Sequence, residues 1–244
     1  MKCLKKIPDC SAVIIAACLY SVQSNIELLY LKNNSISSVF CMSLFDVRTF
    51  MEDKQFFLVT NVLFGLFVSC FICSRDISDY YTIYTFNSIR SEKIFFWGRM
   101  AVIAFKQAVF SAVYCSVLMI LCMVSCGSLT DYSDMILLLK SIAAVAYSGT
   151  FFCVICSTAS LFFDARISVL SILVIMLTAA FVSMTFGNLP KQIGRLLIIN
   201  PITAVTAVTE SSPTAFILDL LIFCLVIFAE MFAAVGICQR KELK

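Results

Sequence analysis

The residues of this sequence that could do chemistry are thirteen cysteines and a few charged residues inside apolar stretches, and histidine is absent. Without histidine the chain cannot form a Ser-His-Asp triad, an HExxH zinc site or a histidine-ligated haem site. A GxxxxGK[ST] phosphate loop is absent too, so ATP binding of that kind is not expected. No catalytic constellation remains, and the sequence predicts a protein that is not an enzyme on its own.

Two Cys-x-x-Cys pairs, Cys70/Cys73 and Cys153/Cys156, have a spacing found in four-thiolate zinc sites. Both pairs lie within apolar stretches, where a thiolate is costly to bury. A buried free cysteine packs as a small hydrophobic residue. We therefore expect these cysteines to serve packing, and we expect no metal site on this chain.

Six long apolar stretches position these residues. The chain is 61% hydrophobic and 14% charged, whereas about a quarter of the residues of a soluble domain are charged. A helix needs about 20 apolar residues to cross the core of a bilayer. The sequence therefore predicts an all-α polytopic membrane protein, with one transmembrane domain over residues 1–244 and six transmembrane helices. The predicted spans are Ser11–Leu31, Phe56–Ser74, Met100–Cys126, Met135–Phe163, Ile167–Phe186 and Ala215–Cys238.

The distribution of lysine and arginine orients these spans. Eleven of the 18 basic residues fall on the side that holds both termini, five fall on the other side, and two fall within spans. Because basic residues are enriched in cytosolic segments, both termini are predicted to be cytosolic, in a multi-pass protein of the plasma membrane. The basic N-terminus and first apolar run also resemble a cleavable signal peptide. We expect no cleavage, since it would leave five spans and break the charge pattern.

The predicted cytosolic loop between spans 2 and 3, Arg75–Arg99, contains an amphipathic segment. Asp79 falls in its first turn, where the helix dipole favours negative charge. A short helix lying along the membrane surface is expected here, either as an ordinary interfacial loop or as a docking element for a cytosolic partner. The apolar residues recur at the spacing of one helix face: Ile77, Tyr80, Tyr81 and Tyr84.

The predicted outer loop between spans 5 and 6, Gly187–Thr214, is too apolar for a solvated loop. Two apolar pieces flank Asn200 and Pro201, and neither is long enough to span the bilayer. Proline breaks a continuous helix. The pattern predicts a re-entrant helical hairpin in the outer leaflet, with its backbone shielded by protein.

Five charged residues lie within predicted spans, where burying one alone costs roughly 2.5–3.5 kcal/mol. Lys106 and Glu230 are predicted at similar depth on the cytosolic side, and we expect them to pair. Lys140 is expected to pair with Asp219 or Glu27 near the outer side. The alternatives are lining of a transport path and snorkelling to the interface, and snorkelling is favoured for Asp219 and Glu27.

The order of these features resembles the permease subunits of type 2 ATP-binding-cassette (ABC) exporters. That family has six spans, cytosolic termini, a cytosolic coupling helix between spans 2 and 3, and a re-entrant hairpin between spans 5 and 6 that often contains Asn-Pro. Here the coupling helix resembles the run through Tyr80–Tyr84 to Arg90, and the hairpin resembles Leu196–Pro201. One departure is that only ten residues precede Ser11, which is short for the interfacial helix that the family places before span 1.

The resemblance implies the transmembrane subunit of an ATP-driven transporter that exports a peptide, a lipid-like molecule or another amphipathic substrate. A separate cytosolic ABC ATPase would bind the ATP, so this chain would hold no cofactor. A second copy or a homologous permease would complete the transport path in the lipid membrane, and no nucleic acid is expected as a partner. The alternatives are an ion-coupled secondary transporter and a non-transport membrane assembly protein. The residues implied in ATPase coupling are Asp79, Tyr80, Tyr81, Tyr84 and Arg90.

Overall fold

The described part of the chain is helical. The computed structural model describes residues 10–25, 36–43, 92–127, 131–160, 162–163 and 212–242, and single helical positions between 167 and 178. Its helices confirm the predicted all-α class for this part of the chain, and no strand occurs within it. They are α1 (Ser11–Asn25), α2 (Ile36–Ser43), α3 (Glu92–Cys126), α4 (Tyr132–Ala159) and α5 (Pro213–Glu242).

Three of these helices are long and apolar enough to cross a membrane. Their apolar segments lie within α3, α4 and α5 and correspond to predicted spans 3, 4 and 6, which supports the predicted membrane character. Span 2 lies outside the described residues, and spans 1 and 5 lie partly outside them. The six-span count and the orientation therefore stay predictions. The three apolar segments are Trp97–Cys126, Tyr132–Ala159 and Thr214–Ile237.

The helix ends differ from the predicted span ends. The helix of span 3 begins at Glu92 rather than Met100, so the last part of the predicted Arg75–Arg99 loop is helical. The helix of span 4 ends at Ala159, and Phe163 lies in a bend beyond it. Apolar composition marks the lipid-embedded stretch, whereas backbone hydrogen bonding and caps set where a helix ends, so the two boundaries need not coincide.

A hairpin of α3 and α4 forms the centre of the described structure. Gly127 follows α3 with φ 65°, a left-handed conformation that glycine adopts at little cost. The backbone N–H of Asp131, just before α4, donates to Asp134 Oδ2 at 3.0 Å. This is one half of a capping box, which satisfies a donor at the start of the helix.

Ser212 and Pro213 begin α5. The Ser212 hydroxyl accepts a hydrogen bond from the Ala215 N–H at 3.3 Å. Proline suits the first helical position, where its missing N–H leaves no hydrogen bond unmade. The Ser-Pro pair therefore fixes the start of α5 two residues before the predicted start of span 6.

The helix α3 packs against α1, α2, α4 and α5. Its Tyr114 ring stacks on Tyr20 of α1 at a centroid distance of 6.2 Å, and the Ser21 hydroxyl donates to the Tyr114 carbonyl at 3.3 Å. The helix α2 was not predicted, since it falls between predicted spans 1 and 2. Its side chains are nevertheless part of the core, because Val39 and Phe40 are fully buried.

The long helices differ in how far the rest of the molecule encloses them. In the most apolar window of α4, 61% of residues are buried, whereas in that of α5 only 22% are buried. The helix α5 packs on α4 and α3 and leaves the rest of its surface to the surroundings. Of the three long helices, α5 therefore has the narrowest buried face.

Candidate functional site

The buried face of α5 carries two acidic residues. Asp219, Phe223 and Glu230 are spaced so that, at about 100° per residue, they lie within about 40° of one another. Phe223 stacks on Tyr147 of α4, with ring centroids 4.2 Å apart and the planes inclined by 11°. This face of α5 therefore packs against α4. We refer to Tyr147, Asp219, Phe223 and Glu230 as the acidic seam.

Glu230 places a carboxyl group in this seam that has no hydrogen-bond partner within the described residues. Both of its carboxylate oxygens are buried, and neither accepts a hydrogen bond within the described residues. Burying a charged group that lacks a partner costs several kcal/mol. A group that could neutralise or bind this carboxylate would therefore gain free energy by doing so.

The predicted partner of Glu230, Lys106, does not hydrogen bond to it in the described structure. Lys106 is buried, with 8% of its surface exposed. The Trp97 ring of α3 lies 5.4 Å from the Phe228 ring. The part of α5 that carries Glu230 therefore lies beside the start of span 3. Lys106 follows nine residues later, about 13 Å along the helix axis. This separation accounts for the absent hydrogen bond, and the pairing of Lys106 with Glu230 stays a prediction.

The outer charges occupy the same pair of helices. Lys140 of α4 and Asp219 of α5 are 6% and 4% exposed, respectively. Snorkelling of Asp219 to the interface stays a prediction, and the described structure places its short side chain on the face of α5 that packs on α4. Asp219 Oδ2 accepts no hydrogen bond among the described residues. Glu27 lies outside them.

A second polar contact joins α3 to α4. Gln107 Nε2 donates a hydrogen bond to Cys153 Sγ at 2.8 Å, and both residues are fully buried. Cys153 and Cys156 are free thiols, and the described residues hold no group of three cysteine or acidic side chains that could bind a metal. Cys153 is therefore a hydrogen-bond acceptor as well as a packing residue. Cys70 and Cys73 lie outside the described part.

Four hydroxyls of α4 are bonded within their own helix, whereas the buried Ser157 hydroxyl makes no hydrogen bond within the described residues. Each of the four donates to the carbonyl four residues earlier, at 2.7–2.9 Å, which satisfies its donor without a partner on another helix. These residues therefore need no polar partner on a neighbouring helix. They are Ser141, Ser148, Thr150 and Thr158.

The predicted ATPase-coupling residues lie outside the described residues, as do Asn200 and Pro201 of the predicted re-entrant hairpin. Both sets therefore stay predictions. The coupling residues are Asp79, Tyr80, Tyr81, Tyr84 and Arg90. The described structure adds the helix that follows them, because α3 begins at Glu92, two residues after Arg90.

Sequence reasoning missed Tyr147 and Phe223. The available signal was a spacing, since Phe223 lies four residues after Asp219 and seven before Glu230, on one helix face. Tyr147 is also a polar aromatic residue near the middle of a long apolar stretch. Neither signal shows which helix faces which, so the seam emerges only from the packing of α4 on α5.

Comparison with known proteins finds no family model, no curated protein and no solved structure that matches this chain.

Proposed function

We propose that this chain is the transmembrane subunit of an ATP-driven exporter of the type 2 ABC class, a multi-pass protein of the plasma membrane. Its substrate would be a peptide, a lipid-like molecule or another amphipathic compound. The chain itself would catalyse no reaction, because ATP would bind and be hydrolysed on a separate cytosolic subunit. The order of the charge pattern, the predicted coupling helix and the predicted hairpin supports this proposal.

The observation that carries the proposal is the continuity of α3. Its 35 residues give a length of about 52 Å at 1.5 Å per residue. The hydrocarbon core of a bilayer is about 30 Å thick, and the headgroups bring the total to about 40–45 Å. The helix is thus long enough to run from the predicted coupling segment, which ends at Arg90, across the whole bilayer.

The proposed mechanism is the transmission of a rigid-body displacement. Closure of the ATPase subunits on ATP would move the docked coupling segment, and α3 would carry that movement to the helices packed on it. Helices that are already packed together move by small sliding or rotation. A second copy or a homologous permease would supply the opposite wall of the path, and the relative motion of the two halves would expose the substrate to alternate sides.

Co-purification tests the proposal directly. The tagged chain would be extracted from its native membrane in a mild detergent, and the co-purified proteins would be identified by mass spectrometry. We expect a cassette ATPase in stoichiometric amount. A stable, monodisperse preparation without any such ATPase would contradict the proposal.

A triple variant tests the coupling segment itself. Replacing Tyr80, Tyr81 and Tyr84 by aspartate should release the ATPase, because three charges would replace the apolar face that docks it. Tyr132→Asp is the matched control, since Tyr132 is 83% exposed and lies at the predicted outer end of α4. If the triple variant keeps its ATPase, the coupling-helix prediction is wrong.

An ion-coupled secondary transporter is the second candidate, and the buried carboxylate of Glu230 favours it. Intramembrane carboxylates mark proton and ion pathways in such transporters. Reconstituted vesicles separate the two candidates, because export that needs ATP and persists without an ion gradient supports the first. Export driven by a gradient alone would support the second, and a purely structural assembly protein would show neither.

A further inference from the structure

We propose that Gln107 of α3 exchanges hydrogen-bond partners between Cys153 and Ser157 of α4, and that this exchange gives the α3/α4 interface two states. In one state the amide bonds to the Cys153 thiol, as in the described structure. In the other state it bonds to the Ser157 hydroxyl. The proposal concerns the mechanics of this helix pair and is independent of what drives the change.

The bond between Gln107 and Cys153 is one that a better acceptor could replace. Gln107 Nε2 donates to Cys153 Sγ at 2.8 Å, and both side chains are fully buried. A thiol sulfur is a weak acceptor, whereas a hydroxyl oxygen accepts an amide N–H well. A hydroxyl within reach of the amide would therefore compete with the thiol.

Ser157 supplies such a hydroxyl. It is fully buried, and its Oγ makes no hydrogen bond within the described residues. In this it differs from the four α4 hydroxyls that donate to their own backbone. A buried hydroxyl without a hydrogen bond is costly, so a partner on the neighbouring helix would stabilise it.

The geometry of the hairpin brings the amide and this hydroxyl toward each other. Ser157 lies four residues after Cys153, which is about 40° around α4 and about 6 Å along its axis. Because α3 and α4 are the antiparallel arms of one hairpin, the start of α3 lies beside the end of α4. Side chains lean toward the N-terminus of their own helix. Gln107 therefore leans toward the level of Ser157, and Ser157 leans back toward Cys153.

Moving the amide from the thiol to the hydroxyl needs little movement of the backbone. The glutamine side chain has three rotatable bonds, so a change of rotamer covers most of the distance. Helices shift by about 1–2 Å at packed interfaces, and such a shift of α4 along α3 supplies the rest. The number of hydrogen bonds between the helices is the same in both states, so neither state is favoured by bond count.

Nuclear magnetic resonance of the glutamine side-chain amides tests the exchange on the full chain in lipid nanodiscs. The chain has five glutamines, so selective isotope labelling of this residue type gives few signals, and Gln107→Met identifies the Gln107 signal by its loss. Helix shifts occur in microseconds to milliseconds. We expect the Gln107 amide of the native chain to show two signals or relaxation dispersion. A single signal without dispersion would overturn the proposal.

Ser157→Ala removes the second partner. It should abolish the second signal or the dispersion and leave Gln107 in its thiol-bonded state. Ser141→Ala is the matched control, since Ser141 is a buried α4 serine whose hydroxyl donates to its own helix. This control should leave the exchange unchanged. Exchange that persists in Ser157→Ala would show that Ser157 is not the second partner.

Thermal unfolding in detergent gives an independent measurement. If Cys153 and Ser157 are alternative partners, each compensates when the other is lost. The Cys153→Ala/Ser157→Ala double variant should therefore lose more in unfolding temperature than the sum of the two single losses. Cys153→Ala combined with Ser141→Ala should be additive, and additive losses in the first double variant would contradict the exchange.

The comparison of the native chain with Ser157→Ala involves no change at Cys153, so it stays decisive if Cys153→Ala does not fold. No step uses ATP or a partner protein. These results are therefore independent of the ATPase co-purification that tests the proposed function.

Discussion

Gln107 and Cys153 form the polar contact of the α3/α4 interface whose chemistry is most easily tested. The amide donates to the thiol at 2.8 Å in the buried interior, where a polar group left unpaired is costly. The sequence predicted that Cys153 would be buried, and it is. It did not predict the hydrogen bond, because pairing an amide with a particular thiol depends on how two helices are rotated, which composition does not specify.

The first prediction concerns this contact. Cys153→Ala should lower the free energy of unfolding by about 1–2 kcal/mol, because it leaves the Gln107 amide with one partner fewer. Thermal unfolding in detergent measures the change. Cys224→Ala is the control, since Cys224 is an exposed free cysteine of α5 and should tolerate the change. Equal unfolding temperatures for the two variants would contradict the role assigned to Cys153.

At the scale of elements, the apolar runs predicted where α3, α4 and α5 lie but not how they end or face one another. The spans are apolar on every side, so their periodicity does not distinguish a buried face from a lipid-facing one. The helix α2 was missed because eight residues in a mixed loop carry too weak a pattern. The predicted Lys106–Glu230 pair followed from counting residues from the predicted cytosolic side, and a count ignores how helices shift along one another.

The turn between α3 and α4 gives the second prediction. Gly127→Val should destabilise the protein by about 1–3 kcal/mol, because a β-branched residue is strained at φ 65°. No atom lies within 4 Å of the Cβ that a side chain would add, so the cost comes from the backbone alone. Gly127→Asn is the matched control and should cost less, since asparagine tolerates this conformation. If the two variants unfold at the same temperature, the turn does not depend on the backbone of Gly127.

At the scale of the whole molecule, the predicted orientation is open to a labelling test. In a variant without native cysteines, Tyr132→Cys should react with a membrane-impermeant maleimide added to intact cells. Phe163→Cys should react only after the cells are permeabilised. The positions are 83% and 61% exposed and lie at opposite ends of the α4 region, so access to the reagent should differ only by side of the membrane. The reverse labelling pattern would invert the orientation predicted from the charge distribution.

The spans were predicted from apolar composition. The amphipathic cytosolic segment and the re-entrant hairpin were predicted instead from the order of a few residue types. The Tyr80–Tyr84 face and the Asn200–Pro201 break lie outside the described residues, so both stay predictions. By contrast, the acidic seam could not be predicted from either kind of pattern. It needs two helices, one ending at Ala159 and the other beginning at Pro213, to meet along one face.

The hydrogen bonds that the α4 hydroxyls make within their own helix have a mechanical consequence. Because Ser141, Ser148 and Thr158 donate to their own backbone, these bonds stay intact if α4 slides along α3 or α5. The resistance to such a shear then comes from side-chain packing and from interhelical contacts such as Gln107–Cys153. A displacement of α4 would therefore leave the hydrogen bonds of these three hydroxyls unbroken.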